Sequence, residues 1–256
     1  RIKTRQPVPY EGPAGIGALL EGLQARTGWS AIMDGSYLIG LFDSARGGAI
    51  SLEPGGQFEL SGAPVSTLHE TQVELTEHLA NVHAVAAPLD IGFLTLGMAP
   101  TWRRQDIPRM PKQRYRIMTA YMPKVGSMGL DMMYRTATVQ TNLDFCSEAD
   151  MVKKFKVSLA LQPIATALFA NSPFSDGKPN GFRSMRSEIW RHTDRHRTGI
   201  LPFVFQGGMG FERYVEWALD VPMYFIVRDG RYHDCTHITF RQFMAGALKG
   251  EVAAWE

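Results

Sequence analysis

The segment at residues 51–64, SLEPGGQFELSGAP, holds the side chains of this chain that are best suited to chemistry. Successive side chains of a strand point to opposite faces, so Gln57 and Glu59 share one face, and Glu53 precedes a Pro-Gly-Gly turn that can fold it toward them. Two carboxylates and an amide on one sheet face suit a hard cation such as Mg²⁺, which prefers oxygen ligands. A solvated face of an antiparallel sheet is the alternative, and both interpretations stay open at this point.

A second polar face is predicted at residues 136–145, TATVQTNLDF. If this segment is a strand, Gln140, Asn142 and Asp144 share one face, and Val139 and Leu143 lie on the other. Two polar faces rich in amides and carboxylates indicate either the inner wall of a polar pocket or two solvated sheet faces.

Two arginines lie among apolar and aromatic neighbours: Arg114, beside Tyr115, and Arg186, within SMRSEIW. Because a guanidinium binds carboxylate or phosphate through two parallel hydrogen bonds, these arginines suit an acidic substrate, and the alternative is an arginine stacked at the surface. A basic cluster after Arg186 either attracts nucleotide phosphates or forms a solvated face: Trp190, Arg191, Arg195 and Arg197. His192 and His196 have a spacing that permits a metal site, but the flanking arginines favour an exposed basic helix.

Composition excludes several functional classes. The 256 residues include 27 basic and 25 acidic side chains, so the net charge of +2 carries no nucleic-acid signature. No apolar run approaches the roughly 20 residues that cross a bilayer, and no signal peptide is recognisable. Neither a Walker-type phosphate loop nor a GxSxG serine motif is present. Cys146 and Cys235 form no zinc-type pattern and fit a reducing cytoplasm.

Apolar periodicity predicts the helices of the chain, and polar residues predict where two of them begin. Ser66 is the predicted N-cap of the second helix and Ser147 that of the fourth. The fourth helix carries an apolar face that is expected to be buried, with Val157, Leu161, Ala165 and Leu168. The predicted helices are Ile16–Thr27, 65–87, 112–121, 147–171, 185–191, 211–219 and 239–248.

Short strands alternate with these helices. Strands are predicted at Tyr37–Phe42 and Ala49–Leu52, which form a pair, and at 91–98 and 136–145. Short alternating strands favour an antiparallel sheet with one open face, and therefore an α+β fold. The residues alone predict a Mg²⁺-dependent pocket for a small acidic substrate, with ATP bound by something other than a phosphate loop.

Longer motifs add a family resemblance. SLEPGGQFELSGAP, MPKVGSMGLDMMYRT, LALQPIATALFANSPFSDGKPNGF, SMRSEIW, ALDVPMYF and CTHITFRQFMAG closely resemble glutamate–cysteine ligase of the plant and proteobacterial type. The resemblance runs over nearly the whole chain. It implies a fold like the catalytic domain of glutamine synthetase, in which a curved antiparallel sheet flanked by helices forms a funnel for ATP and Mg²⁺. It also implies that the γ-carboxylate of L-glutamate attacks ATP, and that the amine of L-cysteine displaces phosphate to give γ-glutamylcysteine.

The resemblance also implies roles for individual residues. Glu53, Glu59 and Gln57 match the metal-binding strand, and Gln140 and Asn142 match a facing strand near the nucleotide. Arg114 and Arg186 match arginines that hold the glutamate substrate and act in catalysis. Three aromatic side chains match the amino-acid pocket, and one arginine matches the ATP phosphates: Tyr115, Trp190, Tyr224 and Arg197.

The resemblance implies that residues 1–256 are one catalytic domain, shortened at both ends, in a protein that is a monomer or homodimer. Cys235 matches half of a regulatory disulfide of the plant enzymes, but its partner position is Gly250, and Cys146 stands where the plant sequences carry serine. A bacterial cytoplasmic enzyme is therefore expected rather than a plastid one. The alternatives are a ligase of glutamate with another amine, and a non-catalytic relic of the fold that only binds ligands.

Overall fold

The computed structural model describes residues 1–248, and it divides the chain into two compact units. Both combine helices with antiparallel strands, which confirms the α+β class. The curved funnel implied by the resemblance stays a prediction. The first unit contains Arg1–Tyr115, Met133–Ala137 and Phe174–Asn180, and the second contains Arg116–Met132, Thr138–Pro173 and the chain from Gly181 onward.

The first unit is built on a four-stranded antiparallel sheet in which each strand pairs with the next along the chain. The predicted pair Tyr37–Phe42 and Ala49–Leu52 is confirmed. Its strands are β1 (Ser30–Asp34), β2 (Tyr37–Phe42), β3 (Ala49–Leu52) and β4 (Phe58–Ser61). A short hairpin of β5 (Phe174–Ser175) and β6 (Lys178–Pro179) also belongs to this unit.

Two helices cover the core of the first unit. Helix α1 (Ile16–Thr27) has the predicted bounds and ends at Gly28, whose φ of 72° is the left-handed conformation that glycine adopts without strain. It packs against β2 and against α2 (Leu68–Ala86). The core is made by buried aliphatic side chains from the helices and the sheet: Leu19, Leu20, Leu23, Leu41, Ile50, Leu52 and Val82.

The sequence predicted Ser66 as the N-cap of α2, but the N-cap is Thr67. The Thr67 hydroxyl accepts a hydrogen bond from the Glu70 amide at 3.2 Å, and the Glu70 carboxylate accepts one from the Thr67 amide at 2.8 Å. This reciprocal capping box needs an acidic or amide side chain three positions after the cap. Glu70 meets that spacing for Thr67, and Ser66 lies one residue too early.

Two predicted strands are absent from residues 1–248. Residues 91–98 and 136–145 form no strand, and their only ladder contact is an isolated bridge between Met98 and Thr136. Val139, on the predicted apolar face, is 94% exposed. Alternating polarity predicts which faces a strand would present, but a strand also needs a neighbour along its whole length. Here the two segments meet only near this bridge, where the Ala137 amide donates a hydrogen bond to the Gly97 carbonyl at 3.2 Å, and no ladder extends from it within the described residues.

The second unit is mainly helical. Helices α3 (Gln113–Val125) and α4 (Gly129–Arg135) contribute residues to both units, and the divisions fall after Tyr115 and after Met132. The helices are α3 (Gln113–Val125), α4 (Gly129–Arg135), α5 (Glu148–Leu168), α6 (Met185–Arg191), α7 (Phe211–Leu219) and α8 (Phe240–Met244), with a hairpin of β7 (Phe225–Arg228) and β8 (Arg231–Asp234). Single 3₁₀ turns occur at Ala87–Leu89, Arg104–Asp106 and Pro202–Phe205.

Helix α5 starts at the predicted N-cap, Ser147, but its apolar face is not buried as expected. Leu161 is 47% and Leu168 73% exposed, and Val157 and Ala165 are exposed as well. Periodicity identifies the side of a helix that is fit for burial, whereas burial itself requires a second surface. No helix within residues 1–248 is both long and apolar enough to span a bilayer.

Candidate functional site

Glu53 and Glu59 share one face of the sheet of the first unit, as predicted. Glu59 lies opposite Ser51 in the β3–β4 register, and the Glu53 amide donates a hydrogen bond to the Gln57 carbonyl at 2.9 Å. Glu53 therefore continues the β3 ladder by one pair, which places it on the same face as Glu59 and diagonally across from it. The alternation read from the sequence correctly placed Glu59, and the predicted turn correctly brought Glu53 to the same face.

Three residues around the start of α3 bring cations and a phenol to these carboxylates. A guanidinium nitrogen of Arg114 lies 4.0 Å from a Glu53 carboxylate oxygen. The Lys112 ammonium and the Tyr115 hydroxyl each donate to the Leu52 carbonyl at 2.7 Å. The Arg114 guanidinium also lies 5.2 Å from the centre of the Tyr115 ring. The result is a cluster of two carboxylates, two cations and a phenol at the end of β3, which we call the β3 cluster: Glu53, Glu59, Lys112, Arg114 and Tyr115.

Hydrogen bonds of side chains and backbone hold in place the two segments that form the β3 cluster. The Asp34 carboxylate accepts hydrogen bonds from the Gln113 amide at 2.9 Å and from its side chain at 2.8 Å, which ties the β1–β2 hairpin to the start of α3. The Met110 amide donates to the Pro54 carbonyl at 3.1 Å. Gly55 is required in the adjoining turn because a Cβ there would collide with the Tyr134 carbonyl oxygen.

Burial shifts the pKa values of three members of the β3 cluster, Glu53, Lys112 and Tyr115, toward their neutral forms. It raises the pKa of Glu53, while the nearby Lys112 cation pulls that pKa down. It lowers the pKa of Lys112 to about 8 and raises the pKa of Tyr115 to about 12. Each group is thus costly to keep charged without an oppositely charged neighbour, so the arrangement is suited to a ligand that brings further charge, such as a metal–phosphate complex.

Gln57, predicted as a metal ligand, has an amide that ties backbone segments together. Its nitrogen donates to the carbonyls of Met133 at 3.0 Å and Thr136 at 2.8 Å, and its oxygen accepts from the Gly55 amide at 2.9 Å. A metal-binding role for Gln57 stays a prediction, and the structure gives this side chain a positioning role at the turn.

The fit of Mg²⁺ rests on the two carboxylates. In residues 1–248, no group of three or more His, Cys, Asp or Glu side chains is placed to hold a metal, and this includes the spacing of His192 and His196. Mg²⁺ commonly binds through one or two carboxylates together with water and substrate phosphates. Glu53 and Glu59 fit that smaller donor set.

In the second unit, α6 carries two predicted substrate-binding side chains. The Arg186 guanidinium lies 5.6 Å from the centre of the Trp190 ring, and burial lowers the pKa of Arg186. The Arg186 Nε and the Trp190 indole nitrogen are both buried and have no hydrogen-bond partner among the described residues. Buried donors are nearly always paired in native proteins, so these two atoms are suited to meet the acceptors of a ligand.

Tyr224 and Arg197, also in the second unit, lie against each other. The Arg197 guanidinium lies 4.0 Å from the centre of the Tyr224 ring, and burial raises the pKa of Tyr224 to about 12. Arg197 forms an ion pair with Asp194 at 2.5 Å and donates to the Pro222 carbonyl. The predicted role of Arg197 at ATP phosphates is untested, and these contacts occupy part of the guanidinium.

Gln140 and Asn142, predicted near the nucleotide, lie outside any strand because the predicted strand is absent. Both are exposed, and the Gln140 amide nitrogen donates to the Asn142 side-chain oxygen at 3.0 Å. Their nucleotide-binding role stays a prediction. Sequence reasoning missed Lys112 and Asp194. Nothing local distinguishes Lys112 from a surface lysine, whereas the three-residue spacing of Asp194 and Arg197 was a usable signal for an ion pair.

Comparison with known proteins decides the family. The model of glutamate-cysteine ligase family 2 matches residues 2–247. The chain belongs to this family. Over 247 residues it is 61% identical to "Glutamate--cysteine ligase, chloroplastic" of Brassica juncea. The aligned residues make up 96% of the chain and 47% of that relative. The protein of the same name from Medicago truncatula is 62% identical over 247 residues, with 96% and 48% covered. The chain therefore spans about half the length of the curated relatives it matches.

These relatives correct the expected location. The glutamate–cysteine ligases of Brassica juncea, Medicago truncatula and Arabidopsis thaliana are all named chloroplastic. The bacterial cytoplasm was inferred from single cysteine positions and is wrong, because identity across 247 residues outweighs those positions. Cys235 is buried and forms no disulfide within the described residues, and its thiol donates to the His233 carbonyl at 3.5 Å. Gly250, its predicted partner position, lies outside those residues.

Proposed function

We propose that this chain is part of an ATP-dependent glutamate–cysteine ligase that joins the γ-carboxylate of L-glutamate to the amine of L-cysteine. The β3 cluster carries the proposal, because it brings two carboxylates and two cations together in a member of this family. Transfer of a phosphoryl group from ATP to glutamate requires positioning and charge neutralisation rather than a protein nucleophile. The product would be γ-glutamylcysteine, which begins glutathione synthesis.

In the first unit, Glu53 and Glu59 would hold Mg²⁺ bound to ATP. The metal would neutralise charge that develops on the transferring phosphoryl group. Arg114 would bind the α-carboxylate of glutamate, and its contacts with Tyr115 and Glu53 would orient its guanidinium. Lys112 would compensate the charge of Glu53 while it holds the end of β3 through Leu52.

In the second unit, the buried nitrogens of Arg186 and Trp190 would donate hydrogen bonds to a substrate carboxylate. Tyr224 would contact an amino-acid substrate. Holding the reactants in a fixed orientation removes much of the entropic barrier between them. Gln140 and Asn142 are proposed to contact the nucleotide. The funnel-like sheet, a single catalytic domain and a plastid location belong to the same proposal, the last because the relatives are chloroplastic.

A product assay tests the proposal. The full protein is incubated with glutamate, cysteine, ATP and Mg²⁺, and both γ-glutamylcysteine and ADP are measured. Equal amounts of the two products are expected, and Glu59→Gln should reduce both because it removes one proposed metal ligand. A γ-glutamyl product with another amine but none with cysteine would identify a different ligase. No ADP release under any of these conditions would identify a protein that only binds ligands.

A further inference from the structure

The ring of Tyr224 is held from its face and from its edge. The Arg197 guanidinium covers the face at 4.0 Å from the ring centre, a close cation–π contact. Tyr121 of α3 meets Tyr224 in an edge-to-face arrangement, with ring centres 5.5 Å apart and planes at 80°. The backbone at this point is also fixed, since the Cys235 amide donates to the Tyr224 carbonyl at 3.0 Å.

The Arg197 guanidinium is itself held on two sides. One terminal nitrogen pairs with the Asp194 carboxylate at 2.5 Å, and the other donates to the Pro222 carbonyl, two residues before Tyr224. The planar fork of an arginine is suited to bridging two acceptors in this way. Arg197 thus joins the residue 194 turn to the segment that carries Tyr224.

Asp194 is a rigid anchor for this bridge. It is 1% exposed, and its second carboxylate oxygen accepts a hydrogen bond from the His196 amide at 2.9 Å. Its backbone carbonyl accepts from the Arg197 amide at 3.1 Å and from the Thr198 amide at 2.8 Å. The turn from residue 194 to residue 198 is therefore organised around Asp194. Hydrogen bonds to Asp194 hold both the backbone and the guanidinium of Arg197.

These contacts oppose the use of Arg197 as a phosphate ligand. A buried carboxylate already neutralises the guanidinium charge, and a phosphate would have to displace Asp194 and leave it buried without a partner. We propose that Arg197 is a positioning residue that holds the Tyr224 ring for an amino-acid substrate and does not bind ATP. This inference rests on the proposed function, since it takes Tyr224 as a contact of an amino-acid substrate.

Arg197→Lys in the full protein tests the inference. Lysine keeps the positive charge and remains able to bind phosphate, but it lacks the planar fork that bridges Asp194 and Pro222 and stacks on Tyr224. We expect the KM for glutamate or cysteine to rise about tenfold and the KM for ATP to change less than about twofold. A rise in the KM for ATP with unchanged amino-acid KM values would overturn the inference.

Arg213→Lys is the matched control. Arg213 also stacks on an aromatic ring, 5.5 Å from the centre of Phe203, and donates to the Gly207 carbonyl, but it contacts no predicted substrate-binding residue. It should leave every KM unchanged. If Arg197→Lys does not fold, Tyr224→Leu decides the matter: a rise in one amino-acid KM with an unchanged ATP KM supports the inference, and unchanged amino-acid KM values overturn it.

A spectroscopic measurement separates this inference from the proposed function. In protein labelled with ¹³C in its tyrosine rings, the Tyr224 signal is assigned by its loss in Tyr224→Phe. We expect Arg197→Lys to shift that signal and Arg213→Lys to leave it in place. If the wild-type protein makes no γ-glutamyl product, the proposed function fails while this measurement still reports on the Arg197–Tyr224 contact. An unmoved Tyr224 signal in Arg197→Lys would overturn the inference.

Discussion

Lys112 and Tyr115 donate hydrogen bonds to one acceptor, the carbonyl oxygen of Leu52, and both distances are 2.7 Å. Glu53 follows Leu52 directly and pairs with Gln57 across the turn. In an antiparallel ladder, hydrogen-bonded and non-hydrogen-bonded pairs alternate, so the Leu52 carbonyl points away from β4. The pairing of β2 with β3 covers only Ala49–Ser51. The two side chains therefore take the place of a missing strand partner and hold the backbone beside Glu53.

The shared acceptor predicts that the two donors are energetically coupled. Lys112→Met and Tyr115→Phe should each lower the free energy of unfolding by about 1 kcal/mol, because the remaining side chain still satisfies the Leu52 carbonyl. The double variant should lose about 1–2 kcal/mol more than the sum, since a buried carbonyl is then left unpaired. Urea unfolding measures all four proteins.

Tyr10→Phe provides the control for that cycle. The Tyr10 hydroxyl also donates to a backbone carbonyl, that of Leu38 at 2.9 Å, but it shares no acceptor with Lys112. Combined with Lys112→Met, it should be additive within about 0.5 kcal/mol. Additivity in the Lys112–Tyr115 cycle itself would show that the Leu52 carbonyl has another donor in solution.

The lowered pKa of Lys112 predicts a pH dependence of stability. The folded pKa is about 8 and the ordinary value is 10.5, so between these values the unfolded chain binds more protons than the folded one. The free energy of unfolding of the wild type should therefore rise through this window relative to Lys112→Met, by at most about 1.4 kcal/mol for each unit of pKa shift. Denaturant unfolding of both proteins at about pH 7 and about pH 10 measures it. If the wild type and Lys112→Met differed by the same unfolding free energy at both pH values, the result would contradict the burial of the Lys112 ammonium.

Gln57→Glu distinguishes a positioning role from metal binding at this residue. The carboxylate would face the carbonyls of Met133 and Thr136 without a proton to donate, so we expect a loss of stability of about 2–4 kcal/mol. Glu59→Gln, on the exposed end of the same face, should change stability by less than about 0.5 kcal/mol. Thermal unfolding without metal compares them. A Gln57→Glu protein of wild-type stability with tighter Mg²⁺ binding would instead support the ligand role.

The start of α2 gives a local test. Thr67→Ala removes the capping hydroxyl and should lower the free energy of unfolding by about 1 kcal/mol. Ser66→Ala, one residue earlier, should cost only a few tenths of a kcal/mol because the Ser66 amide, and not its side chain, contacts Glu70. Equal losses of unfolding free energy for the two substitutions, measured by urea unfolding, would contradict Thr67 as the N-cap.

Arg186→Ala tests the predicted glutamate site in the second unit. If Arg186 binds a carboxylate of glutamate, the KM for glutamate should rise about 100-fold while the KM for ATP changes little, because a charge-assisted hydrogen bond is lost on one substrate only. Arg186→Lys should be intermediate, since it keeps the charge and loses the fork. Initial rates with each substrate varied in turn measure this. Equal losses for glutamate and ATP would refute the role.

Local patterns in the sequence determined much of the fold. The bounds of α1, the β2–β3 pair, the N-cap of α5 and the shared face of Glu53 and Glu59 all follow from periodicity, capping residues and strand alternation within short segments. These features depend on interactions between neighbours in the chain, and for that reason they were readable. The motifs also sufficed to identify the family, which the comparisons confirmed.

Only the tertiary structure decided which side chains are available for chemistry. Gln57 and Glu59 look equivalent on an alternating strand, yet the amide of Gln57 is used by backbone more than 70 residues away in the chain. Lys112 joins the β3 cluster through a carbonyl 60 positions earlier, and Arg197 reaches Pro222 across 25. Likewise, residues 136–145 alternate like a strand, but within the described residues they form only the isolated bridge between Thr136 and Met98 and no strand ladder. Burial, strand pairing and hydrogen-bond partners are set by segments distant in sequence, and no local pattern encodes them.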